Sequence, residues 1–278
     1  MKDFLTLTKL SRDEINNLLQ MASQMRRIVL ANYKKSPQLL GKTVVGLFQE
    51  ESVESIALNL AMNYLSGTCV ISKSSQNLLE IAKASEYMGA NYVAIKNEND
   101  SLISTLANVM QSSVINLGSK MYSPICALSY LLVIQTKLDN LSNHTIGVVG
   151  NGNSNLIADL DYALSLFNSS LVWYLPKDDV STIRRGIVLN NAESVFAGAD
   201  AIIDLGLQQF AQPERYYGTN FGISKTLIDK ARPNIPLIGA KHIVDKNGIT
   251  EYHFNTASTE ASAYVATLMA VLYSLTKN

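Results

Sequence analysis

The stretch TVVGLFQEESVESIALNLAMNYLSGTCVIS (Thr43–Ser72) decides the fold. TVVGLF (Thr43–Phe48) is a short β-rich run without polar alternation, the pattern of a strand buried in a parallel sheet. Ser52–Ser66 then reads as a helix and TCVIS (Thr68–Ser72) as a second strand, which together make a βαβ unit. The loop between strand and first helix is acidic, carrying Glu50 and Glu51, with Glu54 following in the first helical turn. Such a loop ordinarily suits an anion, because the first N–H groups of a helix point outward unpaired. Three glutamates there demand an explanation.

The alternation continues outward. Asn77–Met88 and Leu102–Gln111 read as helices, with strands at NYVAIK (Asn91–Lys96) and SVINL (Ser113–Leu117). Pro124 opens a long apolar helix to about Gln135, proline being suited to a first turn. Upstream, Ser11–Leu30 is amphipathic: Ser11 and Glu14 have capping-box spacing, and Ile15, Leu18, Leu19 and Ala22 share a face. After a polar stretch at Gln135–Asn143 the pattern restarts. Strands are expected at Thr145–Gly150, Ser170–Pro176, Ala201–Gly206 and Ile235–Ala240, and helices at Leu156–Phe167, Ala192–Ala197, Ser224–Lys230 and Thr259–Thr276. Two such series predict an α/β protein of two doubly wound parallel-sheet domains, 1–135 and 144–258, followed by a terminal helix.

Composition narrows the function classes. With 278 residues, 47% hydrophobic and 17% charged, the chain can bury a proper core. Lys+Arg and Asp+Glu are 23 each, so no basic excess points to nucleic acid or an anionic membrane. The longest apolar runs, such as ALSYLLVI (Ala127–Ile134), are much shorter than the ~20 residues that span a bilayer. The opening MKDFLTLTKLSRDE has no signal-peptide core, and Cys69 and Cys126 read as buried thiols of a reducing compartment. A cytoplasmic protein is expected.

Sheets of this kind bind ligands beyond the carboxyl ends of their strands, so the following loops carry any chemistry. GVVGNGNSN (Gly147–Asn155) lacks the G-x-G-x-x-G spacing and the later acidic residue, and reads as a tight Gly/Asn turn. His144, His242 and His253 have no metal-like spacing to one another or to a cysteine, so a zinc site is not expected. His144 falls at a domain edge and is expected to be solvated; His242 follows a strand end and is the one placed to line a cleft. G-x-S-x-G and Walker A motifs are missing. The residues alone define a two-domain α/β protein with no evident catalytic set.

The order of elements and several stretches resemble the aspartate/ornithine carbamoyltransferase family over nearly the whole chain. LGKTVVGLFQEESVESIALNLAMNYLSG is similar to its first strand, phosphate loop and second helix. VINLGSKMYSPICALSYLLVI is similar to its V-x-N-x-G…H-P-x-Q-A-L stretch, and TIGVVGNGNSNLIADLDYALSLF to the start of its amino-acid-binding domain. The aspartate branch is the nearer, through Gln208 and IVDKNG (Ile243–Gly248). The resemblance implies a transcarbamylase-type fold whose first domain is completed by helix 259–276, carbamoyl transfer from carbamoyl phosphate to an amine in pyrimidine biosynthesis, no cofactor, and homotrimers with shared sites.

Carried over residue by residue, the chemistry does not persist. The family phosphate loop Ser-Thr-Arg-Thr-Arg corresponds to Ser52-Val53-Glu54-Ser55-Ile56, so both arginines are gone. His-Pro-x-Gln becomes Ser123-Pro124-Ile125-Cys126, and the arginine ending the third strand becomes Lys96, which keeps the charge but not the bidentate fork. The lysine donated by a neighbouring subunit falls at Ser74, beside Lys73. In the amino-acid site the first-loop arginine falls at Asn155, Arg-x-Gln becomes Gly206-Leu207-Gln208, and His-Pro-Leu-Pro becomes Gly239-Ala240-Lys241-His242. Glu54 is expected to cap its own helix in the phosphate's place. The expectation is an inactive or strongly impaired homologue, acting as a structural or regulatory subunit in a homotrimer or beside an active carbamoyltransferase or another pyrimidine-pathway subunit. The alternative is an active transferase whose site is reassigned to Lys96, Lys241, His242 and Gln208.

Overall fold

The computed structural model describes residues 1–277 except 75, 151, 153, 175–185, 206–222, 240, 241, 245–249 and 253–255. The chain divides into two compact units. The first comprises Met1–Leu132, Ala158–Leu160 and Ala261–Asn278, and the second Val133–Ile157 and Asp161–Glu260.

In the first unit, α1 (Arg12–Leu30) starts at the expected capping box: the Ser11 N–H donates to Glu14 and the Glu14 N–H to the Ser11 hydroxyl. Its buried face is Ile15, Leu18, Leu19, Ala22 and Met25. The unit continues through β1 (Thr43–Phe48), α2 (Val53–Tyr64), β2 (Thr68–Lys73), α3 (Leu78–Tyr87), β3 (Tyr92–Lys96), α4 (Asp100–Val109), β4 (Ser113–Gly118) and α5 (Pro124–Leu138, whose residues from Val133 count with the second unit). The four strands are parallel, in the order β2-β1-β3-β4. Val45, Leu47, Val93, Ile95 and Val114 pack with Leu78, Ala82, Ile103 and Leu106 of α3 and α4 into one core. Gly46 of β1 is required by close packing, since a Cβ there would meet Phe48, Ile71 and Leu58 within 2.9 Å. The N-terminal segment extends the sheet beyond β4 through a Phe4–Ile115 bridge.

The second unit contains β5 (Thr145–Val149), α6 (Ile157–Leu166, whose residues Ala158–Leu160 count with the first unit), β6 (Ser170–Tyr174), β7 (Ile187–Val188), α7 (Ala192–Gly198) and β8 (Ala201–Asp204). These are followed by β9 (Ile223–Ser224), α8 (Lys225–Ile228), β10 (Leu237–Ile238), β11 (His242–Val244) and β12 (Thr250–Tyr252). The main sheet is parallel in the order β10-β8-β5-β6-β7. Helix α9 (Ala257–Ser274) closes the chain, and its residues from Ala261 onward belong to the first unit.

Several expectations are corrected. The strand expected over Ile235–Ala240 pairs only at Leu237–Ile238: Pro236 has no N–H to donate, and Gly239 turns away with φ 78°. A small sheet in the order β12-β11-β9 was not foreseen, because strands of two or three residues show no periodicity. Helix α5 runs on to Leu138, past Gln135. No helix among the described residues is long and apolar enough to cross a membrane.

Candidate functional site

The strand order of the first unit reverses direction between β1 and β3, and ligands of open parallel sheets bind beyond the carboxyl ends at such a reversal. The chain segments there follow β1 and β3. Ser52, with extended backbone, is the N-cap of α2. Its N–H donates to the Ser55 hydroxyl at 3.1 Å, and that hydroxyl donates back to the Ser52 carbonyl at 2.7 Å. The buried Ser55 is thereby committed to its own helix. Val53 is 76% exposed.

Glu54 pairs with Lys96, Oε1 to Nζ 2.9 Å. Ser52 and Ser55 make the capping box, and Glu54, whose carboxylate also accepts its own first-turn N–H as expected of a cap, reaches across to the end of β3. Burial pushes its carboxyl up, but the Lys96 ammonium and Glu54's own backbone N–H prevail and hold it below the usual range. Lys96 is aimed by a register slip between β3 and β4: Ile95 faces Asn116, but Lys96 faces Gly118. Bulges of this kind re-aim side chains at the ends of strands. The Lys96 stem lies over Gly118, whose φ of 151° favours glycine.

Lys73, assigned by resemblance to a loop that serves a neighbouring subunit, meets Glu51 of its own chain at 3.0 Å. Ser74 is also engaged locally: its N–H donates to the Phe48 carbonyl at 2.9 Å and its hydroxyl to the Gln76 carbonyl at 2.8 Å. Two of the three glutamates thus hold lysines: Glu54 holds Lys96, which the resemblance set in the phosphate site, and Glu51 holds Lys73, which it set beside the position of a neighbour's lysine.

Ser123 is buried, and its N–H donates to Asp159 Oδ2 at 3.0 Å. Asp159 is completely buried and also accepts from the Thr6 hydroxyl at 2.7 Å and the Leu7 N–H at 2.6 Å. Burial outweighs these uncharged donors and pushes its carboxyl up to about 6. Asp159 was not foreseen as a site residue; it ties the N-terminal segment to the start of α5. Cys126 is half-buried rather than buried, as is Cys69, whose thiol burial pushes up to about 11. Tyr264 of α9 was also missed. Its hydroxyl is buried and has no hydrogen-bond partner among the described residues. Burial, with the charges of Cys126 and Glu54 adding to it, holds its phenol well above the usual range. The usable signal was a tyrosine inside the apolar run AYVATLMAVL, since a buried phenol needs a partner.

In the second unit Asn155 lies half-buried in the turn before α6. Gly206, Gln208, Ala240, Lys241 and His253 lie outside the described residues, and His242 opens β11. The adjoining Gly239 N–H donates to Glu260 at 3.2 Å. His144 is half-buried, not solvated: its Nδ1 lies 3.6 Å from Asp200, which also accepts the Thr145 N–H at 2.9 Å and pairs with Arg232.

Residues 2–136 match the family described as "Aspartate/ornithine carbamoyltransferase, carbamoyl-P binding domain". Across the whole length, the chain superimposes on the ornithine carbamoyltransferase of Thermus thermophilus with a TM-score of 0.80, 21% identity and 99% of each chain covered. The fold is that of a transcarbamylase. An aspartate transcarbamoylase from Trypanosoma cruzi, in complex with carbamoyl aspartate and phosphate, aligns with this transcarbamylase fold at a TM-score of 0.80 and 17% identity, covering 99% of this chain and 95% of that one. In sequence the chain is 25% identical over 303 aligned positions to the aspartate carbamoyltransferase catalytic subunit of Acetivibrio thermocellus, covering 99% of this chain and 96% of the relative. Identity to the corresponding subunit of Halothermothrix orenii is 32% over 185 positions, 63% of this chain and 56% of that protein.

Proposed function

We propose that this transcarbamylase-fold chain is a carbamoyltransferase homologue that no longer binds phosphate and serves as a structural or regulatory subunit. The supporting observation is the Glu54–Lys96 pair, 2.9 Å across the reversal between β1 and β3. A phosphate dianion entering there meets a carboxylate already seated on the available ammonium. Two like unit charges about 4 Å apart repel by roughly 4 kcal/mol at an effective dielectric of 20, an upper bound here because Lys96 offsets most of the Glu54 charge. The helix N-terminus returns only about 0.3–1 kcal/mol. Because the pair neutralises itself, the region is closer to neutral than its three glutamates suggest, and the exclusion depends on Glu54 staying on Lys96. Where the resemblance places the family's His and Gln stand Ser123 and Cys126, and loss of a donor that stabilises the reacting oxygen costs about 10²–10³ in rate.

Assembly has separate support. Val53, Ile56 and Leu60 are 76%, 52% and 37% exposed and recur along one face of α2. Beside them β2 is an edge strand with Val70 49% exposed. An apolar stripe next to an open edge fits association with further copies or with an active carbamoyltransferase chain. Purified protein given carbamoyl phosphate and aspartate is expected to release no phosphate above background, and light scattering is expected to find an oligomer. Turnover at an ordinary enzyme rate refutes the proposal.

A further inference from the structure

The outward face of α2 carries no charge. Val53, Ile56, Asn59, Leu60 and Asn63 recur at three- and four-residue spacing and are all exposed, while Ser55, Ala57, Leu58, Ala61 and Met62 are buried on the other side. A helix face turned to solvent ordinarily carries charged residues, so an uncharged one with three apolar side chains marks a contact. Charge is confined to its two ends. At the amino end stand the exposed Glu50 and Glu51. At the carboxyl end the exposed Lys35 donates to the Asn63 carbonyl at 2.9 Å and pairs with no carboxylate among the described residues. The segment leading to it lies along that end, since the Ser36 N–H donates to the Tyr64 carbonyl at 2.8 Å, and it adds the exposed Tyr33 to the surface.

We infer that this face is a two-fold contact between two copies of the chain, with their α2 helices antiparallel and Ile56 on the axis. The occupant follows from self-complementarity. With the helices antiparallel about Ile56, Val53 of each copy meets Leu60 of its partner. The same alignment sets Glu50 of each copy against the Asn63 end of its partner, where Lys35 stands, so unlike charges meet at both ends. Each helix amino end also lies against a carboxyl end, which the helix dipoles favour. A parallel alignment sets glutamate against glutamate and lysine against lysine. The contact is isologous, one patch meeting itself, whereas the trimer implied by the resemblance joins two different patches. This inference rests on the reading of the α2 stripe as an assembly surface and names its partner and symmetry.

The experiment combines light scattering of the purified full chain with cysteine cross-linking. The wild type is expected at twice the chain mass. Ile56→Cys, oxidised with glutathione disulfide, should give a covalent dimer, because only a residue on the axis meets its own copy. Val53→Cys should not, since its two copies lie about 10 Å apart along the paired helices, beyond the ~7 Å that a disulfide spans between Cα atoms. Val53→Cys combined with Leu60→Cys should cross-link again. The wild type, which carries Cys69 and Cys126, sets the background. Ile56→Glu puts like charges on the axis and should weaken the dimer about a hundredfold or more. Lys35→Glu should weaken it less, and adding Glu50→Lys should restore it. A trimer, or a dimer in which Ile56→Cys gives no cross-link, overturns this inference and leaves the assembly reading standing. A monomer at micromolar concentration overturns both, and neither result touches the exclusion of phosphate, which turnover and titration test separately.

Discussion

Two Lys–Glu pairs sit at opposite ends of the first unit's sheet, and they differ in what holds the acid. At the amino ends of the strands, Glu86 pairs with Lys83 at 2.8 Å and also accepts the backbone N–H groups of Gln111 and Ser112, each at 2.6 Å. Burial opposes its charge, but these donors win and bring its carboxyl down to about 2. At the carboxyl ends, Glu54 is held by Lys96 and its own N–H, and its carboxyl is lowered too. Glu86 organises backbone: it fixes the entry to β4 from α3. Glu54 instead engages a side chain at the end of a strand, Lys96. The first pair belongs to the scaffold; the second, on the proposed function, occupies the place of a ligand. Asp159 shows that donor number alone does not set such a carboxyl, since burial among uncharged donors moves it the other way, up to about 6.

The largest expected effect that tests this contrast is Glu86→Ala. It strands two backbone N–H groups and should destabilise folding by about 2–3 kcal/mol in chemical denaturation. A loss no greater than that of Glu54→Ala erases the distinction. Acid titration comes next. Glu86, lowered in the folded state, contributes stability that is present above the ordinary carboxylate range and lost as pH falls toward 2. Asp159, raised in the folded state, has the opposite sign: its contribution is full below an ordinary Asp pKa and is lost as pH rises through about 6. Asp159→Asn should flatten that part of the stability–pH curve, and Glu86→Gln the acid limb. Glu54→Gln is expected to cost less than about 1 kcal/mol, because the pair is partly exposed. Smallest of all, Lys73→Ala should leave stability within about 0.5 kcal/mol of wild type, its partner Glu51 being largely solvated.

The parts read correctly from sequence are those with strong local signals. Strand β1 was expected over its observed residues because TVVGLF is continuously apolar, and α1 because its cap and stripe are adjacent in the chain. The site was legible only as substitutions. Glu54 and Lys96 were each singled out, but their pairing depends on β1 and β3 lying side by side and on a register slip at Lys96, neither of which leaves a pattern in the chain. Asp159 was invisible for the same reason: its partners at Thr6 and Ser123 are 153 and 36 residues away. Tyr264 was absorbed into an apolar helix, where its body belongs and its hydroxyl does not.

The central claim is that Glu54 holds the place of an anion on Lys96. Isothermal titration of carbamoyl phosphate into wild-type protein and into Glu54→Arg tests it most directly. The expected result is no saturable heat with wild type and measurable binding once the carboxylate is replaced by a guanidinium, without recovery of catalysis. Saturable binding by the wild type, unaffected by Glu54→Arg, contradicts it.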